Sequence, residues 1–557
     1  YSSITEIDNV WIPMSDGCQL AAKIWLPPDA EHNPVPAILE YIPYRKRDYK
    51  AVRDSIMHRY FARHGYACLR VDLRGSGDSE GILRDEYLQQ ELTDGLEVLH
   101  WIAAQPWSDG GVGMFGISWG GFNGLQIASL QPPELKAVIT VCSSDDRYQD
   151  DIHYMGGCLL TDNLSWASTM FAFNSCPPDP LIVGERWRDM WLERLEGSGL
   201  WLKNWLRHQT RDSFWKHASV CEDYRAIKCP VLAVSGWADG YSNTVFRLMQ
   251  HLTVPRRGLI GSWGHKYPNF GGPGPAIAFL TESLRWWDRW LKNKDTGVEK
   301  DPMLRLWMQD AASPILPHRP GRWVAEQSWP SPSIETKTCH LGNGCLSFRG
   351  RDRRQSEQIL QGPLSVGLFA GKWCSYAEAT DLPYDQREED GGALVFDSPI
   401  LDEPLEILGA PVLKLLLSSD KPVAMVAARL SNIAPSGAVT RVTYGLLNLT
   451  HRDDHANPQE LEPNQRYTVQ IQLNHVAQRF PAVHRIRMAI STSYWPLAWP
   501  APESPQVTLY TSGSHLELPI RRPQELDNNL RDLGEPDGDK PLDTTMLAPA
   551  HREWKVT

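Results

Sequence analysis

The segment that most constrains this chain is an apolar run broken by one serine between glycines, Val112-Gly113-Met114-Phe115-Gly116-Ile117-Ser118-Trp119-Gly120-Gly121. The pattern predicts a buried strand, an abrupt turn at Ser118 and a helix that begins at Phe122, all directly adjacent. Glycines two residues before and two residues after the serine allow the backbones of strand and helix to approach closely. Because this turn lifts one hydroxyl out of the sheet, Ser118 is predicted to be a nucleophile.

A second copy of the G-x-S-x-G pattern lies earlier in the chain, at Gly77-Asp78-Ser79-Glu80-Gly81. There the apolar strand Tyr66–Val71 ends several residues before the serine, and a charged residue flanks the serine on each side. This copy is typical of a polar loop, which leads here into a predicted helix over Leu88–Ile102. Since only Ser118 has a strand and a helix directly on either side, Ser118 is favoured over Ser79.

The composition excludes several classes of protein. A chain of 557 residues suggests three or four domains at about 150 residues each, and no apolar run approaches the roughly 20 residues of a transmembrane helix. The net charge of −11 argues against a nucleic-acid partner. Ten cysteines occur without a C-x-x-C pair, so no zinc knuckle or redox motif is expected. No metal, cofactor or membrane partner is predicted, a homo-oligomer is left open, and the absence of a visible signal peptide favours a cytoplasmic location.

The first third of the chain alternates predicted strands and helices. An antiparallel pair, Ile7–Ile12 and Cys18–Leu26, opens it, and the strands that follow are continuously apolar. Continuous apolar strands joined by helices indicate a mainly parallel sheet covered on both faces, and hence an α/β fold.

Two later regions differ from this pattern. Residues 143–228 carry tryptophans at helical spacing and no convincing strand, and so long an insertion is expected to form a helical cap over the strand ends. After about residue 310, strands follow one another without helical crossovers, which indicates a β-sandwich of the jelly-roll kind. We therefore predict a catalytic domain of residues 1–142 and 229–330, a cap of residues 143–228 and a jelly-roll β-sandwich of residues 331–557.

A serine nucleophile needs a base to take its proton and an acid to orient that base. Asp239 and His265 each follow a predicted strand of the sheet. They come after Ser118 in the order serine, aspartate, histidine that α/β-hydrolases use. These three residues are the predicted triad. Asp145 and Asp146 follow another predicted strand and are reserve candidates for the acid.

The tetrahedral intermediate also needs hydrogen-bond donors for its oxyanion. The backbone N–H of Trp119, directly after the nucleophile, is one donor by geometry. The second is expected from the loop after the strand Val35–Ile42, which reads Ile42-Pro43-Tyr44-Arg45-Lys46 and not the H-G-G-G of many lipases.

Five segments together form a combination that is specific to one family: Pro43-Tyr44-Arg45-Lys46, Asp72-Leu73-Arg74-Gly75-Ser76-Gly77-Asp78-Ser79-Glu80-Gly81, the elbow at Ser118, Gly236-Trp237-Ala238-Asp239 and Trp263-Gly264-His265. The chain resembles the cocaine esterase / Xaa-Pro dipeptidyl-peptidase family of serine hydrolases (the CocE/NonD, peptidase S15 group) over essentially its whole length. The resemblance implies an α/β-hydrolase domain with a helical cap and a C-terminal jelly roll. It also implies the triad Ser118, Asp239 and His265, with the Tyr44 hydroxyl beside the Trp119 N–H in the oxyanion hole.

Substrates differ within this family: carboxylic esters, α-amino acid esters, β-lactam side-chain amides and Xaa-Pro peptides. Relatives that bind a substrate's α-ammonium resemble one another in carrying acidic residues shortly after the triad acid and in the cap. Here the segment Gly240-Tyr241-Ser242-Asn243 contains no acid, although Asp150 and Asp151 in the cap could supply carboxylates.

We therefore expect a serine hydrolase that cleaves carboxylic esters through an acyl-enzyme, with an apolar or aromatic acyl group packed among cap tryptophans. Tryptophan is the compositional outlier, with 23 in the chain. The predicted substrate contacts are Trp166, Asp151 and Trp237. The alternatives are an Xaa-Pro dipeptidyl-peptidase or α-amino acid ester hydrolase/acyltransferase, and a hydrolase fold used only for binding, with the jelly roll as a ligand or carbohydrate module.

Overall fold

The structure is a computed structural model of the protein, and it describes residues 3–48, 50–350 and 356–543. Among these residues there is no helix whose length and apolar character would let it cross a membrane. The helices are α1 Ala51–Arg63, α2 Gln89–Ala103, α3 Trp119–Ser129, α4 Asp162–Asn174, α5 Pro180–Val183, α6 Trp187–Gly197, α7 Trp201–Trp205, α8 Ser213–Lys216, α9 Ser242–His251, α10 Phe279–Trp290 and α11 Arg387–Asp390.

The strands fall into an N-terminal and a C-terminal group. The first group is β1 Thr5–Pro13, β2 Gln19–Leu26, β3 Val35–Ile42, β4 Ala67–Asp72, β5 Ser108–Ile117, β6 Leu135–Val141, β7 Tyr154–Met155, β8 Cys158–Leu159, β9 Val231–Gly236, β10 Arg256–Gly261, β11 Leu304–Asp310 and β12 Gly321–Glu326. The second is β13 Ile334–Leu341, β14 Leu346–Ser347, β15 Glu357–Leu360, β16 Leu394–Asp397, β17 Leu405–Gly409, β18 Val412–Ser419, β19 Met425–Ile433, β20 Val439–Asn448, β21 Tyr467–Gln472, β22 Val476–Phe480, β23 Arg485–Ser491 and β24 Val507–Arg521.

The central sheet of the N-terminal part is parallel apart from its first strands. β1 pairs antiparallel with β2, and β2 with β4. From β4 the order continues β3, β5, β6, β9, β10 and β11, with every pairing parallel. The inner strands are buried along nearly their whole length, because helices such as α1, α2, α3 and α9 pack against them. The α/β fold and the antiparallel opening pair expected from the sequence are confirmed.

The C-terminal strands form two sheets packed face to face. One sheet contains β13, β18, β21 and β24, and the other contains β16, β23, β19 and β20, all paired antiparallel. Alternate residues of β18, such as Leu413 and Leu415, are fully buried in the core between the sheets. Val426 and Ala428 of β19 belong to the same core, whereas Ala427 between them is buried in the core of the catalytic part. This period of two is what a sandwich strand requires, and it confirms the predicted β-sandwich.

The catalytic sheet and the β-sandwich share main-chain hydrogen bonds. β11 pairs parallel with β10 along residues 258–260, and its end pairs parallel with β22 through Gln309 and Asp310. One edge of the catalytic sheet is therefore continuous with the C-terminal part of the chain.

The helix of the nucleophile turn begins at Trp119, and the expected start at Phe122 is wrong. The Ser118 carbonyl accepts hydrogen bonds from the N–H groups of Gly121 (2.8 Å) and Phe122 (2.9 Å). The first helical turn therefore starts directly after the serine, because these bonds already close it.

The insertion between β6 and β9 contains the helices α4 to α8. It also contains the paired two-residue strands β7 and β8, which the sequence did not indicate. Helix α4 brings Trp166 and Phe173 to the wall of the cavity that contains Ser118. The insertion thus covers the carboxyl ends of the strands, where ligands of open α/β sheets bind.

Candidate active site

Ser118 has a backbone conformation that residues other than glycine rarely adopt, with φ 57° and ψ −123°. The surrounding glycines are required by close packing of α3 against β5 and β6. A Cβ on Gly116 would lie 2.5 Å from the carbonyl carbon of Gly120, and a Cβ on Gly121 would lie 2.7 Å from Oγ1 of Thr140. The turn therefore depends on these glycines and presents the serine at the end of β5.

Ser118 and His265 line the same cavity, whose volume is about 560 Å³. This volume lies within the range of small-molecule sites, roughly 300–1,000 Å³. The rest of the lining comes from the loop after β3, helix α1, the cap and the C-terminal part: Tyr44, Lys50, Val52, Arg53, Ile56, Ile117, Trp166, Thr169, Phe173, Lys266, Tyr267, Phe270 and Tyr376.

The structure brings His265 and Asp239 together from the ends of β10 and β9. Nδ1 of His265 lies 3.0 Å from Oδ1 of Asp239, and Oδ2 of Asp239 accepts a hydrogen bond from the Ser235 hydroxyl at 3.1 Å. Because a carboxylate only accepts hydrogen bonds, Nδ1 is the ring nitrogen that carries the proton. Nε2 is then left to accept a proton from a nucleophile. The backbone N–H of His265 donates to the Ser375 carbonyl (2.6 Å), so a C-terminal loop fixes the position of the histidine.

The two reserve acids have arginine partners elsewhere. Asp145 accepts from Nε and Nη2 of Arg247 at 2.9 and 2.6 Å, and Asp146 accepts from Nε of Arg211 at 3.2 Å. The carboxylate that contacts His265 is that of Asp239.

Tyr44 lies in the cavity wall, and only 8% of its surface is exposed. Its ring contacts Trp119 and Trp166, each with centroids 6.3 Å away, and Phe173 at 5.3 Å. Burial raises the pKa of Tyr44 well above its ordinary value, so the hydroxyl stays protonated. The phenol can therefore act as a hydrogen-bond donor toward the cavity.

Trp119 combines a backbone and a side-chain function at the turn. As the first residue of α3, it has an N–H that no intrahelical carbonyl can accept, which leaves this N–H available beside Ser118. Its fully buried indole donates from Nε1 to Oε1 of Glu91 at 2.7 Å. Burial raises the pKa of Glu91 to about 7. The hydrogen bond between the Trp119 indole and Glu91 anchors the turn to α2.

Of the three predicted substrate contacts, Trp166 lines the cavity. Its Nε1 donates to Oε2 of Glu86 at 3.0 Å, which fixes the indole. Asp151 does not line the cavity: its carboxylate is buried and accepts from the Tyr241 hydroxyl at 3.1 Å. Burial raises the pKa of Asp151, which disfavours the charged form. The Asp151 carboxylate, predicted to contact the substrate, therefore faces Tyr241 and is not part of the wall of the Ser118 cavity.

Trp237 also lies away from the Ser118 cavity, contrary to the prediction. Its Nε1 donates to the Trp307 carbonyl of β11 at 2.7 Å, and its ring stacks on Phe246 at 6.1 Å. The indole lines a separate, smaller cavity on the other side of Asp239. The physical reason is the direction of the side chain. The indole points toward β11 and packs where the catalytic sheet meets the C-terminal part of the chain.

Several cavity residues were missed by sequence analysis. Tyr376 comes from the C-terminal part, and its ring lies 5.4 Å from that of His265. Phe173, Phe270 and Lys50 complete the wall from the cap, the loop after β10 and the start of α1. No local pattern marks these residues, because only the packing of distant segments brings them to the serine.

Two groups among the described residues have ligand atoms close enough to hold a metal ion. One consists of Cys142 with Asp239 and His265, which already share a hydrogen bond. The other consists of Glu40, Asp54 and His58. Its carboxylates pair with arginines: Nη2 of Arg53 lies 2.6 Å from Glu40 and 2.7 Å from Asp54, and Nε of Arg70 lies 3.1 Å from Asp54. Guanidinium groups therefore already neutralise the carboxylates of the second group.

Comparison with known families matches the chain in two blocks. A family model described as X-Pro dipeptidyl-peptidase (S15 family) matches residues 16–267, and one described as X-Pro dipeptidyl-peptidase C-terminal non-catalytic domain matches residues 296–527. Among curated proteins, the cocaine esterase of Rhodococcus sp. is 26% identical over 537 residues, which cover 88% of this chain and 91% of the relative.

Solved structures show the same fold over nearly the whole chain. A CocE/NonD family hydrolase from Staphylococcus aureus superposes with a TM-score of 0.73 at 19% identity, covering 94% of this chain and 97% of its own. An α-amino acid ester hydrolase superposes with a TM-score of 0.73 at 20% identity, covering 93% of this chain and 97% of its own.

Proposed function

Since the chain belongs to the X-Pro dipeptidyl-peptidase (S15) family of serine hydrolases, we propose that it cleaves carboxylic esters with an apolar or aromatic acyl group through an acyl-enzyme. The proposal includes a small-molecule substrate, a cytoplasmic location and no metal or cofactor in the reaction. We also propose a catalytic domain of residues 1–142 and 229–330, a cap of residues 143–228 and a β-sandwich of residues 331–557.

In the proposed mechanism, Oγ of Ser118 attacks the ester carbonyl while Nε2 of His265 accepts the serine proton. Asp239 holds the imidazole by its Nδ1 hydrogen bond and stabilises the imidazolium that forms. The Tyr44 hydroxyl and the Trp119 N–H donate to the oxyanion. His265 then protonates the leaving alcohol, and water, activated by the same histidine, releases the acyl group.

The observation that carries the ester assignment is the chemistry of the cavity wall. Among the described residues that line it are aromatic rings, aliphatic side chains and cations, but no aspartate or glutamate. The α-ammonium of an amino ester or a dipeptide would enter this cavity without an ion-pair partner, which is unfavourable. Asp151, the cap carboxylate predicted to meet such a group, is buried against Tyr241.

The ester proposal is tested by matched substrates that differ only in the α-amino group. We expect kcat/KM for p-nitrophenyl 3-phenylpropanoate to exceed that for phenylalanine p-nitrophenyl ester by about tenfold or more, and Ala-Pro p-nitroanilide to be cleaved more slowly than both. The Ser118→Ala protein supplies the blank for spontaneous hydrolysis. Preference for the substrates with a free α-amino group would assign the chain to the peptidase or amino-ester alternative.

Replacing Tyr44 with phenylalanine tests the oxyanion hole. Loss of the hydroxyl should lower kcat about 10²- to 10³-fold, because one donor to the developing negative charge disappears. Tyr41→Phe is the matched control, since it removes a buried hydroxyl on β3 that donates to the Glu91 carbonyl at 3.3 Å, away from the cavity. Equal kcat values for the two variants would remove Tyr44 from the mechanism.

A further inference from the structure

A second cavity lies near the amino ends of β9, β10 and β11, whereas Ser118 and His265 follow the carboxyl ends of their strands. Helix α10, the loop before β11 and the C-terminal segment 526–533 form most of the rest of its wall. None of its described lining residues belongs to the cavity of Ser118. Its volume is about 240 Å³, below the roughly 300 Å³ at which drug-sized sites begin, so it suits a small ligand.

The register of the sheet brings two arginines to this wall. Arg305 of β11 stands opposite Leu259 of β10, and Arg257 precedes Leu259 by two residues. Side chains two residues apart on a strand share a face, so Arg257, Leu259 and Arg305 lie on the same face of the sheet. Leu232 of β9, opposite Arg257, lies on this face as well. Two guanidinium groups and two apolar side chains therefore line one side of the cavity.

Three buried nitrogen atoms in the wall have no hydrogen-bond acceptor within the described parts of the chain. They are Nε of Arg257, Nε of Arg305 and Nε1 of Trp286, whose side chain is fully buried on α10. Two strands and one helix thus each bring an unpaired donor to the same cavity. Because buried donors in proteins are almost always hydrogen-bonded, this wall is matched to a ligand that carries acceptor oxygens.

The carboxylates of the wall are already paired with arginines. Four cationic and two anionic side chains line the cavity, and the anions are Glu282 and Asp301. Glu282 accepts from Nη1 of Arg531 at 2.7 Å, and Asp301 accepts from Nη1 of Arg285 at 2.8 Å. The two carboxylates therefore do not balance the remaining arginines of the wall.

Arg257 and Arg305 supply the excess positive charge. Nη1 and Nη2 of Arg257 donate to the carbonyls of Arg256 (2.7 Å) and Glu299 (2.6 Å), which position the guanidinium without neutralising it. The Arg305 side chain has no ion pair or hydrogen bond with any described residue, and its guanidinium lies 5.3 Å from the centroid of the Trp323 ring. Burial and a neighbouring arginine lower the pKa of Arg305 to about 10, so it is charged at pH 7.

We propose that this cavity binds a small organic anion, a carboxylate on an apolar body, and that Arg305 and Arg257 bind its carboxylate. Guanidinium groups form short, charge-assisted hydrogen bonds with carboxylates, and these would satisfy the unpaired donors of the wall. Leu232, Leu259 and Leu533 would contact the apolar body, which an inorganic ion lacks. The site is separate from the proposed catalytic centre, and the proposal does not rest on the esterase function.

Isothermal titration calorimetry of the wild-type protein at pH 7 tests the ligand class with three probes: 3-phenylpropanoate, 3-phenylpropanamide and inorganic phosphate. The amide has the same apolar body without the charge, and phosphate has the charge without the body. We expect 3-phenylpropanoate to bind about tenfold or more tightly than either, because a hydrogen bond to a charged group is added to apolar contact. Absent binding of 3-phenylpropanoate, or equal binding of the amide or of phosphate, would overturn the proposal.

Variants of Arg305 locate the binding site. Arg305→Gln should raise the Kd for 3-phenylpropanoate about 10- to 100-fold and leave the Kd for the amide unchanged. Arg305→Met, with a side chain of similar reach, should give the same loss and serves if the first variant does not fold. Arg225→Gln is the control, because Arg225 is 80% exposed and pairs with Asp223 outside the cavity.

The same variants separate this cavity from that of Ser118, which could also admit the probe. Binding in the cavity of Ser118 would persist when Arg305 is replaced. An unchanged Kd for 3-phenylpropanoate in a folded Arg305 variant would therefore show that the second cavity is not the anion site.

Discussion

Replacing Ser118 with alanine is expected to lower kcat/KM for ester hydrolysis by about 10⁵- to 10⁶-fold. The variant lacks the oxygen that attacks the carbonyl, while the cavity and the Asp239–His265 pair are retained. Covalent labelling by a fluorophosphonate, which reacts with an activated serine, should vanish as well. Mass spectrometry of the intact protein detects the adduct. An adduct that persists in Ser118→Ala would show that another residue is the nucleophile.

The second copy of the serine pattern supplies the control for this experiment. The hydroxyl of Ser79 is buried, donates to the Asp72 carbonyl at 2.6 Å and accepts from the Ala21 N–H at 2.8 Å. Ser79→Ala should therefore lower the free energy of unfolding by about 1–3 kcal/mol and leave labelling at Ser118 intact. Loss of labelling in a folded Ser79→Ala protein would contradict the choice between the two serines.

The second large effect is expected from Asp239→Asn, which should lower kcat about 10⁴-fold. Oδ2 of Asp239 accepts from Ser235 at 3.1 Å, and Oδ1 faces Nδ1 of His265 at 3.0 Å. An asparagine that keeps its oxygen toward Ser235 turns its NH₂ group to Nδ1. The imidazole proton then moves to Nε2, which can no longer accept the proton of Ser118. The readouts are kcat and the rate of fluorophosphonate labelling.

Asp145→Asn is the matched control, since Asp145 was a reserve candidate for the acid. Its bidentate contact with Arg247 is structural, so the change should lower the unfolding temperature and leave kcat of the folded protein nearly unchanged. The opposite pattern, an inactive Asp145→Asn and an active Asp239→Asn, would move the acid role to Asp145.

The features that could be predicted from the sequence are those set by local patterns. Glycines two residues before and two residues after Ser118 mark a close approach of strand and helix, and the structure places Gly116 and Gly120 at such contacts. Strand ends are visible as the limits of apolar runs, which located Asp239 and His265. The start of α3 was missed because the carbonyl of Ser118 itself closes the first turn, and composition does not indicate this.

The features that could not be predicted depend on side-chain direction and on contacts between distant segments. Trp237 follows a sheet strand as a substrate contact would, but its indole bonds the Trp307 carbonyl and points away from the serine. Asp151 lies in the insertion between β6 and β9, but its carboxylate accepts a hydrogen bond from the Tyr241 hydroxyl and does not reach the cavity wall. Lys50 and Tyr376 reach the cavity only through tertiary packing.

The contact between His265 and the C-terminal part of the chain has a consequence for biosynthesis. The Ser375 carbonyl accepts the His265 N–H at 2.6 Å, and the neighbouring Tyr376 ring lies against the imidazole. A nascent chain that has not yet reached these residues would contain the serine turn and the Asp239 partner of His265, but not the C-terminal contacts that fix the histidine backbone and ring. The complete set of contacts around the imidazole therefore forms only after synthesis has passed residue 376, more than a hundred residues beyond the histidine itself.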